Sequence, residues 1–174
     1  MKNIKLMPKS LIIYSSIDGH TKAICKKIRE YNDNEEFDIC SILDMPSNLG
    51  EYKNIIIGAS IRYGKYRKEL YEFINKNKDL LDAKNNAFFS VNAVARKSDK
   101  DTPGTNPYIE KFLKNSKWMP KNIEVFAGKI DYPKYKFFDK YAIKFIMWIT
   151  KGPTNTSKAY EFTDWKKVRL LQKV

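Results

Sequence analysis

The sequence predicts an α/β fold: a doubly wound, five-stranded parallel sheet with helices on both faces and a long insertion near the last strand. Three observations predict it. Short apolar runs alternate with segments of helical period along most of the chain. The central runs are continuous and β-branched or aromatic, as in strands covered on both faces. Strand and helix segments follow one another in regular alternation, which favours helical crossovers between parallel strands. The length of 174 residues suits one domain over residues 1–174, and 43% hydrophobic content fills an ordinary core.

Leu11-Ile12-Ile13-Tyr14 reads as the first buried strand, followed by a polar turn and a helix with Ala23, Ile24, Ile28 and Tyr31 on one face. A weaker strand at Phe37–Ser41 leads through a loop with Pro46 and Gly50 to the run Ile55–Ala59. Leu70, Phe73, Ile74 and Leu81 then mark one stripe of a second helix, which ends before the strand Ala87–Val91. After a polar loop over Asn92–Asn106 come a short helix at Pro107–Asn115 and a last strand at Ile123–Ala127. From Thr163 a cap residue precedes Trp165, Val168 and Leu171 at helical spacing.

The net charge is +13, and it is unevenly spread: residues 1–82 carry 14 basic and 12 acidic side chains, residues 83–174 carry 19 and 8. This asymmetry implies an anionic partner. No basic helix has the contacts of a recognition motif and no RNP-type strand is present, so a nucleic acid is not the expected partner. Cys25 and Cys40 lack CxxC or zinc-finger spacing and read as reduced structural residues, and the single histidine, His20, supports no multi-histidine metal site. Lys2, Lys5 and Lys9 interrupt any secretory h-region, so the chain is expected in the cytoplasm.

Sheets of this type bind ligands beyond the carboxyl ends of their strands, which directs attention to three loops. In Ser15-Ser16-Ile17-Asp18-Gly19-His20-Thr21, hydroxyls, one glycine and free amides at a helix start suit a phosphate. An ordinary helix cap is the alternative. The loop Ser60-Ile61-Arg62-Tyr63-Gly64-Lys65-Tyr66 suits a planar ligand stacked on a ring, or is a surface loop with half-buried tyrosines. Beyond the fourth strand, the backbone of Ser90–Lys97 has the reach to meet the edge of a flat heterocycle.

The segments Ile57–Gly64, Ser90–Lys97, Thr102–Asn106 and Thr163-Asp164-Trp165 closely resemble the menaquinone-dependent protoporphyrinogen oxidases of flavodoxin-like fold, and the resemblance runs from about Leu11 to Trp165. Asp18-Gly19 in the phosphate turn matches that family rather than the electron-carrier flavodoxins. The resemblance implies FMN as cofactor, protoporphyrinogen IX as the porphyrinogen substrate, menaquinone as electron acceptor, and a place in haem synthesis. On that reading Ser15, Ser16, Asp18, Gly19, His20 and Thr21 hold the phosphate, with Asp18 bonding turn or helix-start amides and its carboxylate aimed away. Ser60, Ile61, Arg62, Tyr63 and Gly64 lie along the isoalloxazine, and Asn92, Ala93 and Val94 meet its pyrimidine edge. Arg62, Arg96, Lys97 and Lys100 are the nearest partners for substrate propionates, and no side chain is singled out as catalytic. A flavodoxin-type electron carrier, or an FMN-dependent quinone reductase with another substrate, is the alternative.

The insertion, about residues 128–152, is too long for a plain connection. Phe137–Ile149 is largely apolar, and Lys136, Lys140 and Lys144 recur every four residues to form one basic stripe on a helix. Thirteen residues span about 20 Å, two thirds of a hydrocarbon core about 30 Å thick, so such a helix lies in an interface rather than crossing it. One placement puts Lys136, Phe138, Lys140, Tyr141, Lys144, Phe145 and Trp148 against an anionic membrane surface, making the protein peripheral on the cytoplasmic face. The other packs the aromatic residues into the domain's own core.

Overall fold

The computed structural model describes residues 9–32 and 35–171. Lys2 and Lys5, on which the expectation about the amino-terminal segment rests, lie outside them. The elements run β1 (Lys9–Ser15), α1 (His20–Glu30), β2 (Glu36–Ser41), β3 (Asn54–Ser60), α2 (Lys68–Ala83), β4 (Asn85–Asn92), α3 (Pro107–Ser116), β5 (Asn122–Ala127), β6 (Lys129–Asp131), α4 (Phe137–Ile149), β7 (Ala159–Glu161) and α5 (Trp165–Leu170). β1 to β5 form one parallel sheet in the order β2-β1-β3-β4-β5. The doubly wound, flavodoxin-like architecture read from the sequence is therefore the observed one.

Alternation along the strands divides the core in two, because successive side chains point to opposite faces. Leu11, Ile13, Ile55, Ile57, Phe88 and Val125 face α2 and α3, where Leu70, Ile74, Leu81, Ile109 and Phe112 close over them. Ile12, Ile56, Ala87, Phe89 and Phe126 face the other way, against Ile24, Cys25 and Ile28 of α1 and Val168 of α5. Phe88 stacks on Phe112 with ring centroids 3.9 Å apart. Cys25 sits inside the second layer, where burial pushes its thiol well up, and burial also raises Cys40, to about 11. Both thiols are free and held protonated at neutral pH.

The sequence placed the last strand at Ile123–Ala127, but two more follow. β6 and β7 pair antiparallel as a separate two-stranded sheet beside the main one. Each has only three residues, too few to show a period of two. Ile130, Tyr132 and Met147 form a small third core there, with Ile143, Tyr135, Tyr160 and Phe162 packed against it. Tyr132 is fully buried and donates to Pro153 O at 2.7 Å, which ties the two ends of the insertion together.

Candidate functional site

The strand order reverses between β1 and β3, whose crossovers leave on opposite faces, and this is where such a sheet opens a crevice at its carboxyl edge. A cleft occupies that position, the place where sheets of this type hold their ligands. Three loops meet in it: Ser16, Asp18, His20 and Thr21 after β1, Ser60 to Gly64 after β3, and Asn92 to Val94 with Arg96 after β4. Most of its remaining wall comes from the insertion, through Tyr135, Ile143, Ile146 and Met147, with Tyr108 of α3 beside them.

Gly19 caps α1 with φ 82°, a left-handed conformation that strains any residue with a Cβ. No side chain caps the helix and no acidic residue lies in its first turn, so the first amides face the cleft unclaimed. Ser16 Oγ instead accepts from Gly19 N at 3.0 Å and shapes the turn. Ser15 Oγ and Thr21 Oγ1 are buried without a hydrogen-bond partner among the described residues. Such groups cost about 1–3 kcal/mol each if left unpaired. Two orphaned hydroxyls beside an uncapped helix start are a donor set that fits a phosphate ester.

His20, the first residue of α1, is fixed from behind. The Thr163 hydroxyl donates to Ala127 O at 2.9 Å and so accepts from His20 Nε2 at 2.6 Å. Trp165 packs its ring edgewise on the imidazole. Burial lowers the pKa of His20, Glu161 opposes this more weakly and Lys129 adds to it, so the ring is neutral at pH 7.

After β3 the chain makes a tight turn in which Arg62 and Lys65 exchange backbone hydrogen bonds. Tyr63 and Gly64 occupy its centre with φ 50° and 75°, the paired positive values that a type I′ turn demands. Arg62 then donates to Asp18 at 2.6 Å and to Asp139 of α4 at 3.1 Å. Tyr63 OH also donates to Asp139. Burial acts to lower the Arg62 pKa, but Asp18, Tyr63 and Asp139 outweigh it and hold it above the ordinary value.

Several sequence expectations need correction on these contacts. Asp18 does not bond turn amides: its carboxylate takes the guanidinium, a charge-assisted bond stronger than one to a neutral amide. Arg62 is consequently shared by two carboxylates rather than standing free. Arg96 donates to Ala93 O, Thr150 O and Thr150 Oγ1 at 2.7, 2.7 and 3.0 Å, so it clamps the carboxyl end of α4 to the turn after β4 and is not an open carboxylate receiver. Lys97 and Lys100 lie outside the lining of the cleft.

The Asn92 side chain is consumed internally. It accepts from Ala95 N and Asn106 Nδ2 and donates to Ser90 Oγ and Asn106 Oδ1, leaving only main-chain groups for a ligand edge. Tyr66 extends this network by donating to Ser90 Oγ at 2.7 Å. The sequence reading missed the insertion's share of the lining. Its only sequence signal was the apolar character of Phe137–Ile149, which does not say which of those residues turn inward.

A family model described as "Flavodoxin domain" matches residues 11–157. The chain is 42% identical over 166 residues to "Protoporphyrinogen IX dehydrogenase [quinone]" of Leishmania major, covering 93% of this chain and 72% of that one. It is 40% identical over 165 residues to the protein of the same name from Escherichia coli (strain K12), covering 92% of this chain and 90% of that one. Among solved structures, that of two-electron reduced Megasphaera elsdenii flavodoxin aligns with a TM-score of 0.51 at 12% identity, over 67% of this chain and 84% of that one. This last likeness concerns the fold alone.

Proposed function

This chain belongs to the flavodoxin-domain family and is closely related to the quinone-dependent protoporphyrinogen IX dehydrogenases, and from that premise we propose that it oxidises protoporphyrinogen IX to protoporphyrin IX with FMN as cofactor and a quinone, menaquinone, as electron acceptor. The observation that carries the reading is the convergence of three loops at the switch point, with two partnerless hydroxyls and an uncapped helix start in the first of them. Ser15, Thr21 and the first amides of α1 hold the phosphate. Ser16 and Gly19 shape the turn, and His20 anchors it to the segment before α5. Residues 60–64 lie along the flavin ring, and the backbone of 92–94 meets its polar edge. FMN supplies the electron-transfer chemistry when bound. The chain's contribution is to hold it, to cover one side of the cleft with Ile143, Ile146 and Met147, and so to limit water there.

Delivery of electrons to a lipid-soluble quinone calls for a membrane surface, and α4 has the chemistry for one. Only Met147 of its residues is buried, while Phe138 is 86% and Trp148 68% exposed, with Phe137, Tyr141, Phe145 and Ile149 exposed beside them. The core placement of these aromatic residues is thus not the observed one. No helix among the described residues is long and apolar enough to cross a membrane. α4 instead presents an aromatic and aliphatic surface flanked by Lys136, Lys140 and Lys144, and the protein acts as a peripheral protein on the anionic cytoplasmic face of the cell membrane.

The test is anaerobic turnover of the FMN-loaded protein on protoporphyrinogen IX, followed by porphyrin fluorescence with and without a menaquinone analogue. A quinone-dependent rate well above a free-flavin control is expected. Its absence would leave the electron-carrier reading in front.

A further inference from the structure

Beside the main cleft, and separated from it by Arg62, lies a second, shallower hollow whose wall includes Ile17, Tyr63, Arg62, Lys65, Arg67 and Asp139. Three basic side chains converge there, and α2 starts at its rim with Arg67 at the cap position. Arg67 is paired with Glu69 at 3.1 Å, and Lys65 has no carboxylate partner among the described residues. The two carboxylates on Arg62 are held differently. Asp18 belongs to the turn after β1 and sits at 2.6 Å, whereas Asp139 comes from the insertion and sits at 3.1 Å. Asp139 is also hydrogen-bonded by Tyr63, and this with Arg62 keeps its pKa below the usual carboxylate value, so it is a full anion at neutral pH. The hollow thus already contains one carboxylate seated on a guanidinium fork, supplied by the protein itself.

We propose that this hollow is the carboxylate subsite of the substrate, and that Asp139 holds the place of a substrate carboxylate until the substrate displaces it from Arg62. The proposal rests on the porphyrinogen reading above and deepens it. It places Lys65 and Arg67 beside Arg62 instead of Arg96, which clamps the end of α4, and of Lys97 and Lys100, which line neither hollow. Exchange at Arg62 conserves the ion pair: one carboxylate leaves the fork as another enters, and the unpaired Lys65 supplies the surplus positive charge that favours the incoming anion. Because Asp139 stands on the first turn of α4, the exchange also weakens the link between the loop after β3 and the insertion, leaving the Tyr63 hydrogen bond to hold it.

Binding to the FMN-loaded protein separates this from a purely structural tie. Protoporphyrin IX and its dimethyl ester serve as probes, followed by quenching of porphyrin fluorescence, with thermal melts to verify folding. Asp139→Asn removes the internal competitor and is expected to tighten the free acid about fivefold while leaving the ester unmoved. Lys65→Gln is expected to weaken the free acid several-fold, again without effect on the ester. Equal affinity of wild type for acid and ester, or a loss of acid binding in Asp139→Asn, overturns the subsite while the porphyrinogen reading stands. Failure of wild type to bind either porphyrin overturns both.

Discussion

α1 and α4 are helices of similar length, 11 and 13 residues, lying on either side of the same cleft, yet they spend their apolar residues in opposite ways. α1 buries Ile24, Cys25 and Ile28 against the sheet and turns its lysines outward. α4 is the more apolar of the two, but it buries Met147 alone and leaves its aromatic residues in the open. The difference teaches that an apolar helix is defined by what it is apolar towards. For α1 that is a sheet face, fixed by the alternation of the strands. For α4 it is a ligand cleft on one side and the surroundings on the other.

The sharpest way to break this contrast is through stability. Phe112 is fully buried and stacked on Phe88, so Phe112→Ala is expected to cost about 3–5 kcal/mol by cavity formation. Phe145 is exposed, and Phe145→Ala is expected to stay within about 0.5 kcal/mol. Chemical denaturation of both variants decides, and a large loss for Phe145→Ala would return α4 to the core. The basic stripe gives the next largest effect. Each lysine near an anionic leaflet contributes about 1 kcal/mol. Replacing Lys136, Lys140 and Lys144 together by Glu should therefore abolish cosedimentation with anionic vesicles, and added salt should weaken the wild type in the same assay. Flavin binding should survive the triple change.

On the α1 side the expected effects are smaller and concern the cofactor. Thr21→Ala removes one of the two orphaned hydroxyls and should weaken FMN roughly tenfold, about 1.4 kcal/mol, in a fluorescence titration. FAD should bind less well than FMN to the wild type. The smallest effect is a pH dependence. The folded pKa of His20 lies below its ordinary 6.5, so as pH falls from 6.5 towards the folded value the unfolded chain takes up the proton first. Stability is therefore fully present above 6.5 and is lost on acidification through that window. Melts of wild type and His20→Gln between pH 7 and 5 should diverge in this sense, with the variant the flatter of the two.

Local order was legible because it is written in short periods. The continuous runs Leu11–Tyr14 and Ile55–Ala59 read as buried strands, and the stripes of Ile24 and Ile28 or Leu70 and Ile74 read as helix faces, because each pattern reports directly on one sheet face. The three cleft loops were legible for a related reason: strand and helix alternation fixes where the carboxyl edge of a parallel sheet must be. The span of α4 was visible in its composition, but its environment was not. An apolar helix alone does not record whether another layer covers it.

What only the tertiary structure decided is how charge and hydrogen bonds are shared between distant segments. Asp18 and Arg62 are 44 residues apart, and His20 and Thr163 are 143 apart. Arg96 reaches Thr150 across 54. No local pattern encodes such a pairing, since a polar side chain has several competent partners and the fold selects one by proximity. The same holds for β6 and β7, each three residues long and stabilised by its partner strand rather than by its own sequence. The sequence by itself thus determined which segments form the sheet and where its ligand edge lies. Folding decided how the basic residues there are engaged, because an arginine tied to main-chain carbonyls, as Arg96 is, serves the fold, whereas one paired with a displaceable carboxylate, as Arg62 is, can exchange it for a ligand.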